Sequence, residues 1–153
     1  MTEKQILKKL KNDHEYYHGI GKNYLSNSNI QALTTEPRQF QAPQKDGEAF
    51  VKGRYFHQLI LEPNKAKNFP IVDVKSRSTM LYKDYVADNK LDYALLTKDA
   101  EQIKDMVDYT LESLPFFDLI NDPSAEYEVP AIGEIMGAMW KGKADILTKD
   151  YCI

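Results

Sequence analysis

The stretch AEYEVPAIGEIMGAMWKGKADIL, residues 125–147, decides how this chain is to be read. It follows Pro123, alternates in polarity, and is punctuated by Gly133, Gly137 and Gly142. Alternation bounded by turn formers predicts two or three antiparallel strands. The segments before it carry helical spacing instead, so helices come first and the sheet last: an α+β or α/β domain with a mixed sheet. Beyond it, Thr148-Lys149-Asp150 reads as a turn and Tyr151-Cys152-Ile153 as the opening of another strand. The sheet is therefore expected to be incomplete at its C-terminal end.

Within the last of these strands, residues of equal parity share a face. Met139, Lys141, Lys143, Asp145 and Leu147 lie on one side; Ala138, Trp140, Gly142, Ala144 and Ile146 form an apolar other side. Asp145 thus stands on the polar face beside two lysines. Two readings are open at this point. The row is a ladder of solvated charges, or it is a metal-binding carboxylate with lysines placed to meet a phosphate backbone.

The composition narrows the classes. The chain has 153 residues, of which 42% are hydrophobic and 28% charged, so it can bury a sizeable core and is neither disordered nor fibrous. A net charge of −3 excludes holding nucleic acid by bulk positive charge, while a local basic groove beside an acidic site stays compatible. The single cysteine, Cys152, cannot form an internal disulfide and fits a reducing cytoplasm. No apolar run approaches the roughly 20 residues of a membrane span, and the polar start MTEKQILKKLKND does not read as a signal peptide.

Upstream, Thr2 is placed to cap a first helix with Ile6, Leu7 and Leu10 on one face. HEYYHGIGKNYLSNSNIQAL (14–33) reads as an irregular lead-in, ending in a short helix capped by Ser26 or Ser28 and stopped by Pro37. Residues 38–47 read as polar loop. A helix fits Glu48 to Glu62, with Phe50, Phe56, Leu59 and Ile60 as its apolar stripe and Pro63 as its stop. FPIVDV (69–74) is a short strand or extended link, and residues 77–88 are expected to be helical with Met80, Leu81, Tyr85 and Val86 inward. Thr97 is expected to cap the clearest helix, along which Ile103, Met106, Val107, Thr110, Leu111 and Leu114 recur. Pro115 interrupts it and FFDLI adds a turn. The division expected is a helical and irregular lead-in over 1–46 and the main domain over 47–153.

In GRYFHQLILEP (53–63), Gly53 and His57 lie one helical turn apart on one face. A helical glycine costs about 1 kcal/mol against alanine, which asks for a reason such as close backbone approach. A packing glycine with a boundary histidine is the plain reading of this pair. His14 and His18 also stand four apart and read as surface residues.

Taken in order, YLSNSNIQAL, GEAFVKGRYFHQLILEP, SRSTMLYKDY, AEYEV and KGKADIL resemble the RecE-type exodeoxyribonuclease domain of phages and prophages, a branch of the PD-(D/E)XK nuclease superfamily. The resemblance runs from about Tyr17 onward and implies a restriction-endonuclease-like core. It also implies roles. The histidine of the family's G-x-x-x-H helix looks like His57 and the strand aspartate that ligates metal looks like Asp145. The acid of its AE strand matches Glu126 by position, with Glu128 as same-face neighbour. Lys141, Lys143 and Arg77 are then the candidate DNA contacts, with Arg54 as a further cation. Mg²⁺ or Mn²⁺ is the implied cofactor, double-stranded DNA ends the implied substrate, and a single-strand annealing protein an implied partner. Related nucleases often form rings, so a homo-oligomer is compatible, and the cytoplasm of a phage-infected or prophage-bearing bacterium is the implied location.

The sequence departs from that pattern at one point. The family's acid-x-lysine strand follows the aspartate, and none occurs in residues 146–153. Asp73-Val74-Lys75 supplies such a triplet only upstream of Asp145, out of the family's order, and reads as a link. Two carboxylates would hold the metal and a lysine would orient the attacking water. Lacking the second acid and that lysine, residues 1–153 are expected to be a nuclease fragment with little or no catalysis of its own. The alternatives are a nuclease scaffold that binds DNA ends or a recombination partner, and an unrelated α+β interaction domain.

Overall fold

The computed structural model describes residues 1–40, 42 and 46–153; part of the loop expected over 38–47 lies outside them. In chain order the elements are α1 (Glu3–Leu10), α2 (Asp13–Tyr17), α3 (Asn27–Thr35), α4 (Glu48–Leu61), α5 (Pro63–Ala66), β1 (Ile71–Val72), α6 (Met80–Asp88), β2 (Leu95–Leu96), α7 (Thr97–Glu112), α8 (Leu114–Ile120), β3 (Glu126–Ile135) and β4 (Ala138–Leu147). Short 3₁₀ turns cover Ile20–Asn23 and Pro37–Gln39. The mixed α/β class expected from the sequence is the class observed. No helix among the described residues is long and apolar enough to cross a membrane.

The chain divides into two compact units, Met1–Pro43 with Asp122–Ile153, and Gln44–Asn121. The strands at the end of the chain share a unit with the first helices, because Leu25 and α1 supply contacts to the hairpin.

In the 44–121 unit, β1 and β2 pair in parallel, Ile71 with Leu95 and Val72 with Leu96, with α6 in the crossover. Successive residues of β2 point to opposite sides. Leu95 enters a core with Val51, Tyr55, Ala66, Ala100 and Ile103, whereas Ala94 and Leu96 join Val72 and Tyr82 beneath α6. The apolar stripe of α4 is thereby shifted from the expected one. Val51 and Tyr55 are the buried pair, Phe56 and Leu59 flank them, and Phe50 is exposed. Likewise α6 begins at Met80, capped by the Thr79 hydroxyl, and turns Tyr82 inward while Met80 and Leu81 face solvent. On α7 the buried line is Ala100, Ile103 and Val107, and Met106 and Leu114 are exposed. Valine, tyrosine and alanine thus take inward positions that hydropathy alone assigns to Phe50, Met80, Leu81 and Met106.

Tyr82 is tied into its core by its hydroxyl, which donates to the Ala94 carbonyl at 3.0 Å and accepts from the Ala94 N–H at 3.1 Å. Removing the oxygen leaves both buried backbone groups unpaired. Tyr82→Phe is expected to lower unfolding stability by about 2 kcal/mol in urea titrations, with no change in fold by circular dichroism.

In the other unit, β3 and β4 form an antiparallel hairpin running from Glu126–Leu147 to Ile135–Ala138. Its loop is two residues, Met136 and Gly137, with φ of 53° and 76°. Positive φ at both positions is the type I′ geometry, whose twist matches that of paired strands. Met136 is fully exposed and has a side chain that disfavours this conformation, so Met136→Asn is expected to raise stability by about 1 kcal/mol, read as a higher thermal midpoint. The outer edge of β4 is covered at both ends. The Leu25 N–H donates to the Met139 carbonyl at 2.9 Å, and its carbonyl accepts from the Lys141 N–H at 2.8 Å. Further along, Ile146 and Ile153 exchange backbone hydrogen bonds of 3.1 and 2.9 Å. The strand expected at Tyr151–Ile153 therefore does pair with β4, antiparallel, running back toward Asp145.

α1 carries Leu10 inward, fully buried, and lysines outward, and packs on β3 and α2. The segment read as an irregular lead-in is α2 and a 3₁₀ turn. Its Gly21 has a reason: a Cβ there would lie 1.9 Å from the Tyr16 carbonyl oxygen. Gly53 shows no such reason, since nothing lies within 4 Å of a Cβ built on it.

Candidate metal centre on the β3–β4 hairpin

The register of the hairpin creates the site. Tyr127 pairs with Ile146 and Val129 with Ala144, so Glu128 and Asp145 stand opposite each other between two paired rungs. Directly opposed residues of an antiparallel pair project to the same face. A carboxylate oxygen of Glu128 lies within 4.8 Å of one on Asp145. At this rung Glu128 has a φ of 53°, a left-handed conformation costly for a residue with a Cβ. Strain of that kind is retained where the surrounding structure enforces it, commonly at functional sites. Glu128 is half-buried and Asp145 exposed, so one acid is fixed and the other is open to solvent.

The lysines of β4 meet this pair from the same face. Lys143, its side chain only 9% exposed, bridges two carboxylates, Glu128 Oε2 and Asp13 Oδ1, each at 2.9 Å. Burial works to lower its pKa, but the hydrogen bonds and charges of Asp13 and Glu128 prevail and raise it. A raised lysine pKa means the stabilisation is complete below about pH 10.4, the unfolded value, and is lost only as pH climbs through the folded value. The ion pairs therefore hold throughout the neutral range. Lys141 donates to the Tyr16 carbonyl and sits 4.3 Å from the centre of the Tyr16 ring. Its pKa is lowered by burial and by the charge of Lys143.

Glu126 opens β3 opposite Leu147 and is exposed, so Glu128 rather than Glu126 is the acid set against Asp145. His57 sits half-buried on α4, in the 44–121 unit. Arg77, in that unit too, pairs with Asp99 and with Glu48 at 3.4 Å and lies 4.9 Å over the Tyr93 ring. Lys52 closes this network with Glu48 at 2.7 Å and Asp99 at 3.2 Å. Burial, ahead of the neighbouring charges, pushes the Tyr93 hydroxyl up to about 12. Arg54 is held by Asp46 through two hydrogen bonds. Asp73 and Lys75 are exposed in the link after β1, and His14 and His18 are exposed on and beside α2. The cations named as DNA contacts are thus engaged within the protein, because each faces an acid, a carbonyl or a ring that the sequence does not place beside it.

The sequence profile of the PDDEXK-like domain of unknown function (DUF3799) matches residues 22–153. The chain belongs to this family. No curated protein and no solved structure matches it. A PDDEXK-like domain points to nuclease-type function, and such nucleases generally use divalent metals. The hairpin suits that requirement on its own chemistry. Carboxylate oxygens are hard ligands of the kind Mg²⁺ and Mn²⁺ take, and two of them opposed across a Mg²⁺ ion stand about 4.2 Å apart. The Glu128–Asp145 pair of this PDDEXK-like chain is an acidic group of matching donor type, its oxygens within 4.8 Å of each other.

Two members of this cluster are not evident from sequence spacing. Glu128 follows from counting strand positions back from the Met136-Gly137 turn, which pairs 145 with 128. Asp13 is 130 residues from Lys143, and no local pattern signals it.

Proposed function

We propose that this chain is the metal-holding part of a RecE-type, divalent-metal-dependent exodeoxyribonuclease acting on the ends of linear double-stranded DNA. The observation that carries the reading is the Glu128–Asp145 carboxylate pair on one hairpin of a PDDEXK-like chain. In this reading Glu128 and Asp145 hold the cation, and His57 joins them as a further ligand on the family pattern. An imidazole would make Mn²⁺ an accepted metal beside Mg²⁺. When bound, the cation supplies positive charge at a phosphate oxygen and acidifies a water. Lys143 neutralises the Glu128 carboxylate while no cation is bound, and Lys141 and Arg77 would meet phosphate by exchanging their present partners. Double-stranded DNA ends and a single-strand annealing protein are the proposed partners, in the cytoplasm of a phage-bearing bacterium.

Because residues 146–153 hold no acid-x-lysine triplet, the 153 residues are given metal and DNA binding but little hydrolysis. The second reading is a nuclease scaffold that binds DNA ends without cutting. The test is end-labelled linear duplex incubated with the chain and Mn²⁺, scored both for retained DNA and for released nucleotides. Mn²⁺-dependent retention with negligible release is expected. Release that is abolished by Asp145→Ala would overturn the assignment of little hydrolysis, and absence of any Mn²⁺-dependent retention would overturn the DNA-binding reading.

A further inference from the structure

Lys143 occupies a position in which it competes with a divalent cation for the Glu128 carboxylate. Its ammonium lies 2.9 Å from Glu128 Oε2, on the face shared by Asp145, where a divalent cation would be its near neighbour. In the half-buried setting of this site, a unit charge that close is a strong competitor for the same carboxylates. Yet the ammonium is equally close, at 2.9 Å, to a carboxylate on another element, Asp13 at the start of α2. The two acids flank one lysine whose side chain has little contact with water. The ammonium can therefore shift between them without leaving an acid or entering solvent. The Asp13 side chain itself is 46% exposed. The Tyr16 ring, 4.7 Å from the ammonium, walls the site on the α2 side and keeps it near both acids.

We propose that Asp13 and Lys143 form a charge-compensating pair that sets how tightly the Glu128–Asp145 carboxylates hold a divalent cation. Lys143 is the resident counter-ion of Glu128 when no cation is bound. On binding, it releases Glu128 and is held by Asp13, whose negative charge cancels the repulsion the ammonium would otherwise exert. Both are positioning residues; neither contacts the cation. This rests on the reading of Glu128 and Asp145 as metal ligands, and the test separates the two.

The test is calorimetric titration of the 153-residue chain with Mn²⁺ alone. Asp13→Asn is expected to weaken Mn²⁺ binding about tenfold, because the ammonium then has only Glu128 to pair with. Lys143→Gln is expected to bind Mn²⁺ at least as tightly as the parent chain. In the Lys143→Gln background, Asp13→Asn is expected to change affinity less than about twofold, since there is no ammonium left to compensate. A tenfold effect of Asp13→Asn that persisted in that background would mean simple long-range attraction and would overturn the proposal, as would an unchanged affinity of Asp13→Asn itself. If Lys143→Gln does not fold by circular dichroism, Lys143→Met serves as the background for the same comparison, and an unchanged affinity of Asp13→Asn in the parent chain overturns the proposal by itself. A parent chain that binds Mn²⁺ through Asp145 but ignores Asp13 overturns this inference alone. A parent chain that binds no Mn²⁺ overturns the metal-site reading and this inference with it.

Discussion

Asp145→Asn should reduce Mn²⁺ affinity by about 100-fold or more while leaving the far-ultraviolet circular dichroism spectrum unchanged. Asp145 is exposed, so its carboxylate contributes little to packing, and an amide of the same shape keeps the strand intact. On the proposed reading the change removes one of two hard anionic ligands, and affinity for a divalent ion follows ligand charge closely. Glu128→Gln should cost a comparable factor, because Glu128 stands at the opposite position of the same rung. Glu126→Gln should change affinity less than about twofold, since its partner position is Leu147. Calorimetry on the three variants distinguishes the two acids directly. Equal losses for Glu126→Gln and Glu128→Gln would show that the register-based assignment is wrong.

Leu95→Ala should lower the stability of the 44–121 unit by about 3 kcal/mol, with a fall in thermal midpoint of roughly 10 °C. Leu95 has no exposed surface and is surrounded by Val51, Tyr55, Ala66, Ala100 and Ile103, so truncation leaves a cavity that short neighbours such as Ala66 and Ala100 cannot fill. Leu81→Ala is the matched control. Leu81 is 63% exposed, and its loss should register below about 0.5 kcal/mol. Equal destabilisation by the two changes, measured by urea unfolding, would contradict the observed inward face of α6.

The contrast between these two leucines shows where hydropathy stops being informative. Helical spacing placed α3, α4, α6 and α7 within a few residues of their observed bounds, because signals such as Ser26, Pro37 and Pro63 act locally. Which side of each helix turns inward was not local. Phe50, Met80, Leu81 and Met106 all carry the hydropathy of core residues and all face outward. Val51, Tyr55, Tyr82 and Ala100 are inward because β1 and β2 pass there.

The candidate site divides in the same way. Asp145 was legible because a strand of alternating polarity and its lysine context depend on neighbours two residues apart. Glu128 needed the register, and the register is set by a turn, Met136-Gly137, that lacks the Asn-Gly or Asp-Gly signature of type I′ geometry. A shift of two positions kept Glu126 and Glu128 equally eligible by parity.

By itself, then, the sequence determined the mixed helix-and-strand class, the helical segments, the closing hairpin and the identity of one acid, since each depends on contacts within a few residues of chain. The tertiary structure decided that Glu128 faces Asp145 and that Lys143 is shared with Asp13. It also decided that the cations read as DNA contacts already have partners. Those outcomes depend on distances between residues far apart in sequence, and no local periodicity encodes a distance of that kind.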